Sequence, residues 1–213
     1  MKSSTFFRAL LLGSLLTAGA VAVPFGALNV TPRGPQNLNL ETGVTEFPQG
    51  GTATDSKAGL TLSAARMQLK AGEQLSAQNA TLKFRGGGTL SAAQATYNVK
   101  AQTVTATGSI RYSDARFRNL TAGTVRMSLG SGFITATGGV KAENPALSAP
   151  TVVFDPHTVQ ALVMGPAQLS QGTLKTGMTP GGKLLVLFSG PRISRVTSKV
   201  DAGTLARFTP YLP

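Results

Sequence analysis

Eight carboxylates, one histidine and no cysteine make up the chain's whole stock of acid, base and metal-binding side chains. The carboxylates Glu41, Glu46, Asp55, Glu73, Asp114, Glu143, Asp155 and Asp201 are scattered, and no recurring spacing sets one as an acid beside another as a base. His157 stands beside Pro156 with no second histidine or cysteine to complete a ligand set, so no metal site is expected. Gly130-Ser131-Gly132 lacks the Gly-x-Ser-x-Gly spacing of a nucleophile elbow and reads as a turn. Gly86-Gly87-Gly88 is followed by neither a lysine nor a helix pattern, which excludes a phosphate loop. Neither enzyme activity nor a cofactor is expected.

The patterned chemistry is apolar instead. A phrase beginning at Leu62 recurs at Leu90, Leu120 and Leu147, at spacings of 28, 30 and 27 residues. The last three copies align without a gap and carry Gly108, Gly138 and Gly165 eighteen residues after their leucines. Such spacing is the signature of one supersecondary unit repeated along the chain.

Within each copy the period is two. Met67 and Leu69, Tyr97 and Val99, Val125, Met127 and Leu129, then Val152 and Phe154 occupy one parity. The other parity is polar throughout except at Val153. Successive strand side chains point to opposite faces, so this is a half-buried strand. A turn follows, and a second alternating stretch puts Val104, Ala106 and Ile110, or Ile134, Ala136 and Val140, on the inner face. Each copy therefore predicts an antiparallel hairpin. The shared glycine lies late in the second strand, where glycine marks a bulge or corner. Asn79 takes its place in the first copy, where a bulge would restore the alternation.

Residues 23–59, with Pro24, Pro32, Pro35 and Pro48, read as an extended lead-in with one possible edge strand at Asn37-Leu38-Asn39-Leu40. The repeats span 60–193, with Leu174–Ile193 as a possible fifth copy. Leu184 to Phe188 is a continuous apolar run, which suits a strand covered on both faces. Residues 194–213 read as a basic tail whose Pro210 and Pro213 blunt a sheet edge.

Residues 1–22 resemble an export signal: Lys2 and Arg8 precede an apolar run to Ala22, with small-x-small sites at Ala18-Gly19-Ala20 and Ala20-Val21-Ala22. Cleavage and an uncleaved anchor both remain open, and either places the body in the periplasm or cell envelope. The formal charge is +12, and removing Lys2 and Arg8 leaves 18 basic residues against 8 acidic, or +10. That balance suits an anionic lipid, polymer or protein partner, while export argues against nucleic acid.

The leader, the Leu-Ser-Ala opening and the Ala-Thr-Gly at Ala106–Gly108 and Ala136–Gly138 resemble the OstA-like superfamily, which includes LptA, LptC and the N-terminal domain of LptD. The resemblance covers roughly residues 60–193. It implies an all-β fold, an open antiparallel β-jellyroll of tandem hairpins of about 28 residues. It also implies an apolar groove for an amphipathic lipid such as lipopolysaccharide or another glycolipid, partners of the same fold joined edge to edge, and membrane-associated transport machinery. On that reading Met67, Leu69, Tyr97, Val99, Val104, Ile110, Val125, Met127, Leu129, Ile134, Val140, Val152 and Phe154 line the groove. Arg192, Arg195 and Lys199 then meet a headgroup or another anionic partner. The competing reading is a structural envelope module in which the same row fills an ordinary sandwich core.

Overall fold

Alternation of polar and apolar side chains turns nearly all of the described chain into antiparallel strands. The computed structural model describes residues 23–25 and 28–213, and the expected export segment, residues 1–22, lies outside them. The lead-in holds β1 (Val23–Phe25), β2 (Leu28–Pro32), β3 (Asn37–Asn39), β4 (Val44–Phe47) and β5 (Gly51–Asp55). The body follows with β6 (Leu60–Ala64), β7 (Arg66–Lys70), β8 (Gln74–Phe84), β9 (Thr89–Asn98), β10 (Thr103–Thr107), β11 (Arg111–Ser113), β12 (Thr124–Ser128), β13 (Ile134–Glu143) and β14 (Ala146–Asp155). The last part holds β15 (Gln160–Met164), β16 (Ala167–Gln171), β17 (Leu174–Met178), β18 (Lys183–Ser189), β19 (Arg192–Thr197), helix α1 (Ala202–Phe208) and a 3-10 turn, Thr209–Tyr211.

Strand pairing divides these elements between two sheets. The first runs β3, β4, β7, the first half of β8, the second half of β9, β10, β12, the first half of β13, the second half of β14, β15, β18 and β19. The second runs β1, β2, β5, β6, the remaining half of β8, the first half of β9, β11, bridges at Leu120 and Thr121, the rest of β13, the first half of β14, β16 and β17. The long strands β8, β9, β13 and β14 belong to both sheets and join them along one side. Among the described residues β3, β19, β1 and β17 each pair on one side only, so the pairing does not close into a barrel. This is the open antiparallel β-jellyroll.

The corners are made locally. In β8 the buried side chains are Leu75 and Ala77, then Ala80 and Leu82, so the inward parity changes across Gln78-Asn79. Asn79 has φ 51°, in the left-handed region that asparagine tolerates better than most residues. β9 changes parity opposite it, with Ala92 and Ala95 both buried, and the register is kept: Gln78 faces Gln94 and Ala80 faces Ala92. No bulge is needed there, contrary to the sequence expectation. β13 does bulge, because Thr137 faces Thr151 whereas Val140 faces Ala149. Gly138 has φ 79° there, and a Cβ on it would lie 3.1 Å from the Gly123 Cα, so only glycine fits comfortably. Gly108, φ 71°, ends β10 at the matching corner, and Gly165 lies between β15 and β16.

Three boundaries differ from the sequence expectations. Residues 23–59 are not a lead-in with one strand: β2, β4 and β5 are paired members of the two sheets, and Leu28, Val30 and Phe47 are buried. Leu174–Ile193 is not a fifth hairpin, because β17 pairs with β16 in the second sheet and β18 with β15 in the first. Residues 194–213 are not a tail blunting an edge. β19 extends to Thr197, Asp201 caps α1 by accepting from the Thr204 N–H at 2.8 Å, and the helix packs on the outer face of the first sheet. There Phe208, fully buried, joins Phe133, Val153, Leu162 and Leu185. β18 is accordingly apolar on both faces, with Leu184, Val186 and Phe188 turned inward and Leu185 and Leu187 toward the helix.

Candidate functional site

The space between the two sheets is one continuous apolar cluster, from Leu28 and Phe47 at one end to Ile193, Val196 and Met178 at the other. Met67, Leu69, Tyr97, Val104, Ile110, Val125, Met127, Val140, Val152 and Phe154 all belong to it and are at most 4% exposed. Val99, Leu129 and Ile134 are partly buried against it. Sequence parity therefore placed the whole row on the inner face. What it did not place is the packing across the row. The interior is filled, and the void bordered by Phe117, Ile134, Val152 and Phe154 measures only ≈ 20 Å³, little more than a single water needs.

The side of the sandwich away from the corners is closed by side chains rather than by strand pairing. β5 leaves the corner at Gly51 and ends at Asp55 in the second sheet, while Tyr97 lies near the far end of β9 in the first. The Tyr97 hydroxyl donates to Asp55 Oδ2 at 2.9 Å, and the Ala58 N–H donates to Oδ1 at 2.8 Å. Both residues are buried. Burial first, then the hydrogen bond to Asp55 and its charge, push the Tyr97 phenol up to about 12. The bond is thus a neutral donor held on a carboxylate, tying one sheet to the other.

A second closure lies near the middle of the body. Phe117, in the loop after β11, meets Phe154 and Phe188 of the first sheet edge to face, at 5.9 and 5.3 Å between ring centres. The Arg116 guanidinium sits 5.1 Å from the centre of the Phe154 ring and is paired with Asp114 at 2.8 Å. Asp114 also accepts from the Phe117 N–H at 2.7 Å, which fixes the loop. Tyr112 beside it is raised by burial and then by the Asp114 charge.

Sequence reasoning missed Asp55, Arg116, Phe117 and Phe188. Tyr97 and Asp55 are 42 residues apart, and nothing in either neighbourhood pairs them. For Phe117 a signal existed: the longest repeat spacing, from Leu90 to Leu120, contains the loop that carries it.

The three basic residues expected to act together are dispersed. Arg195 lies opposite Leu187, whose side chain packs on the helix side, so it stands on the outer face. Arg192 lies opposite Ser189 at the end of the β18–β19 hairpin. Lys199 lines a cleft between β17 and β19, together with Lys175.

No protein-family model matches the chain, and no curated protein matches it. Among solved structures the chain is similar to that of LptH, described as the LptA homologous periplasmic component of the conserved lipopolysaccharide transport device from Pseudomonas aeruginosa. The two are 12% identical over 81% of this chain and 95% of that one, with a TM-score of 0.38. The architecture given above rests on this chain's own strand pairing. No helix among the described residues is long and apolar enough to cross a membrane.

Proposed function

We propose that this chain is a cell-envelope lipid-binding protein that shuttles or bridges lipopolysaccharide, or a related amphipathic glycolipid, toward the outer membrane. The observation that carries the reading is the uninterrupted apolar interior between two sheets that are joined by backbone on one side only. Taking an acyl chain through water costs about 0.8 kcal/mol per methylene, so about a dozen carbons cost on the order of 10 kcal/mol. An apolar path with no reactive group lowers that cost without chemistry. Met67, Met127, Tyr97, Val125 and Phe154 are the side chains that would meet the lipid, and methionine adapts to irregular occupants. Because the interior is filled, the path opens only when the Tyr97–Asp55 bond and the Phe117 contacts part.

Proteins of the same fold are the proposed partners, paired through free strand edges, with membrane-associated transport machinery at either end. β3 supports this: among the described residues it pairs on one side only and carries Leu38, 59% exposed, with Leu40, 86% exposed, in the turn that follows it. Exposed apolar side chains beside an unpaired edge are otherwise a liability.

Photoreactive side chains at Tyr97 and Met127 test the reading. They should label copurified lipid while Thr96 and Arg126 on the outer face do not, and Met127→Asp should abolish binding. Labelling confined to the outer positions overturns it. The filled interior favours a second reading, a structural envelope module that scaffolds or polymerises without lipid. That reading requires native mass spectrometry of protein taken from its own envelope to show the bare chain alone.

A further inference from the structure

The outer faces of the two sheets are covered differently. α1 lies on the first, and among the described residues no helix lies on the second. One in-register row crosses that open face. Thr52 faces Ser63, Ser63 faces Thr81, Thr81 faces Ser91 and Ser91 faces Arg111. Past the bridge between Tyr112 and Leu120, Thr121 faces Lys141, Lys141 faces Ser148 and Ser148 faces Gln168. Their sequence neighbours Leu62, Leu82, Leu90, Tyr112, Leu147 and Leu169 are buried between the sheets, so the row points outward. Lys83, two residues along from Thr81, flanks it at one end, and Lys175, opposite Ser170, flanks it at the other.

Charge on this face is one-sided. Lys83, Arg111, Lys141 and Lys175 are exposed, and among the described residues none has an ion-pair partner. Among those residues the one carboxylate turned outward from these strands, Glu143, is paired with Arg118 at 3.3 Å. Neighbouring strands lie about 4.8 Å apart, so Arg111 and Lys141 stand about 10 Å from each other, and Lys141 and Lys175 stand farther apart still. From Lys141 to Lys175 the small side chains of Ala146, Ser148, Ser170 and Gly177 leave a trough of ≈ 710 Å³.

That spacing decides the occupant. A small anion cannot meet cations so far apart, whereas a linear polyanion meets several at once. Each cation stands alone, which suits a singly charged carboxylate better than a phosphate monoester of about 1.5 to 2 charges. The row between the cations offers hydroxyls and an amide, which donate to and accept from sugar hydroxyls, and it has no apolar side chain to enter a bilayer. We propose that the outer face of the second sheet is a docking surface for a linear carboxylate-bearing polysaccharide, seated in the trough with its carboxylates on Arg111, Lys141 and Lys175. This docking does not depend on what the interior carries.

The test measures binding of the full chain to polygalacturonate, dextran, polyglutamate and phosphatidylglycerol vesicles. Polygalacturonate should bind and weaken as salt is raised, and uncharged dextran should not bind. The triple substitution Arg111→Gln, Lys141→Gln, Lys175→Gln should weaken polygalacturonate binding about tenfold. The same loss of charge on the first sheet, Arg126→Gln, Arg192→Gln, Arg195→Gln, should leave it unchanged. Ser148→Ile, which fills the trough without altering charge, should weaken it as well. Equal weakening by the two triple variants would mean attraction by net charge alone and overturns the proposal. Polyglutamate or vesicles binding as tightly as polygalacturonate also overturns it, because the face is then a general polyanion or bilayer contact. Parent-like binding by Ser148→Ile overturns the seat in the trough.

Discussion

One in-register row crosses the outer face of the first sheet and changes character along its length. Thr96, Thr105, Arg126 and Thr135 begin it, each opposite the next on neighbouring strands, and all four remain in contact with solvent. The same row continues as Val153, Leu162 and Leu185, and these are buried under α1. Backbone pairing is alike in both regions. The difference is the cover, and it shows that the polarity of an outer strand face records what lies on it. Val153, the one apolar residue on an otherwise polar parity, is the first member of the covered stretch.

The largest expected effect tests that cover. Phe208→Ala removes a fully buried ring from the helix-side cluster and should cost about 3–5 kcal/mol in denaturant unfolding, whereas Thr105→Ala on the solvated stretch should stay within about 0.5 kcal/mol. Hydrogen exchange should speed up in β15 and β18 and leave β9 and β10 unchanged. Equal exchange in both regions would mean that the helix supports the whole sandwich and not its C-terminal part.

The N-terminal half has its own fastening, and Tyr97→Phe measures it. Removing the hydroxyl strips Asp55 Oδ2 of its donor and should cost about 1–3 kcal/mol at neutral pH. The phenol is held up to about 12 from an ordinary 10, so the folded state favours its neutral form. That contribution is complete below about pH 10 and is lost as pH rises toward about 12. Tyr112, also raised, adds a similar alkaline loss. The Phe variant should therefore show a shallower alkaline fall in stability and not a flat one.

The smallest effect concerns the corner that both regions share. Gly138→Ala places a Cβ 3.1 Å from Gly123 Cα at φ 79° and should cost about 1–2 kcal/mol in thermal or denaturant unfolding. Gly172→Ala, with φ 60° and nothing within 4 Å of the added atom, isolates the backbone part of that cost. Equal losses in the two variants would mean that the approach to Gly123 contributes nothing.

Much of the fold was legible because most strands have one wet face. Where a polar residue alternates with an apolar one, as in Thr124-Val125-Arg126-Met127-Ser128, parity alone assigns the inner row, and the structure buries Val125 and Met127 accordingly. Legibility failed where that contrast failed. β17 and β18 read as one hairpin because a single chain cannot show that its two halves join different sheets. Helix α1 has only seven residues, too few for a helical period to stand out against a strand background. The basic residues near the end read as one group because they are near in sequence, while β19 sends Arg195 outward and Lys199 lies past its end, at a cleft between β17 and β19.

The sequence by itself determined the local matters: where strands alternate, which side chains turn inward, and where glycine permits a corner. These follow from the two-residue period of a strand and the steric limits of φ. Tertiary structure alone decided that the inner rows meet and fill the space between them, that Tyr97 finds Asp55, and that the two sheets part at the C-terminal end. Those outcomes depend on how far apart two sheets come to rest, a distance set by the packing of residues remote in the chain.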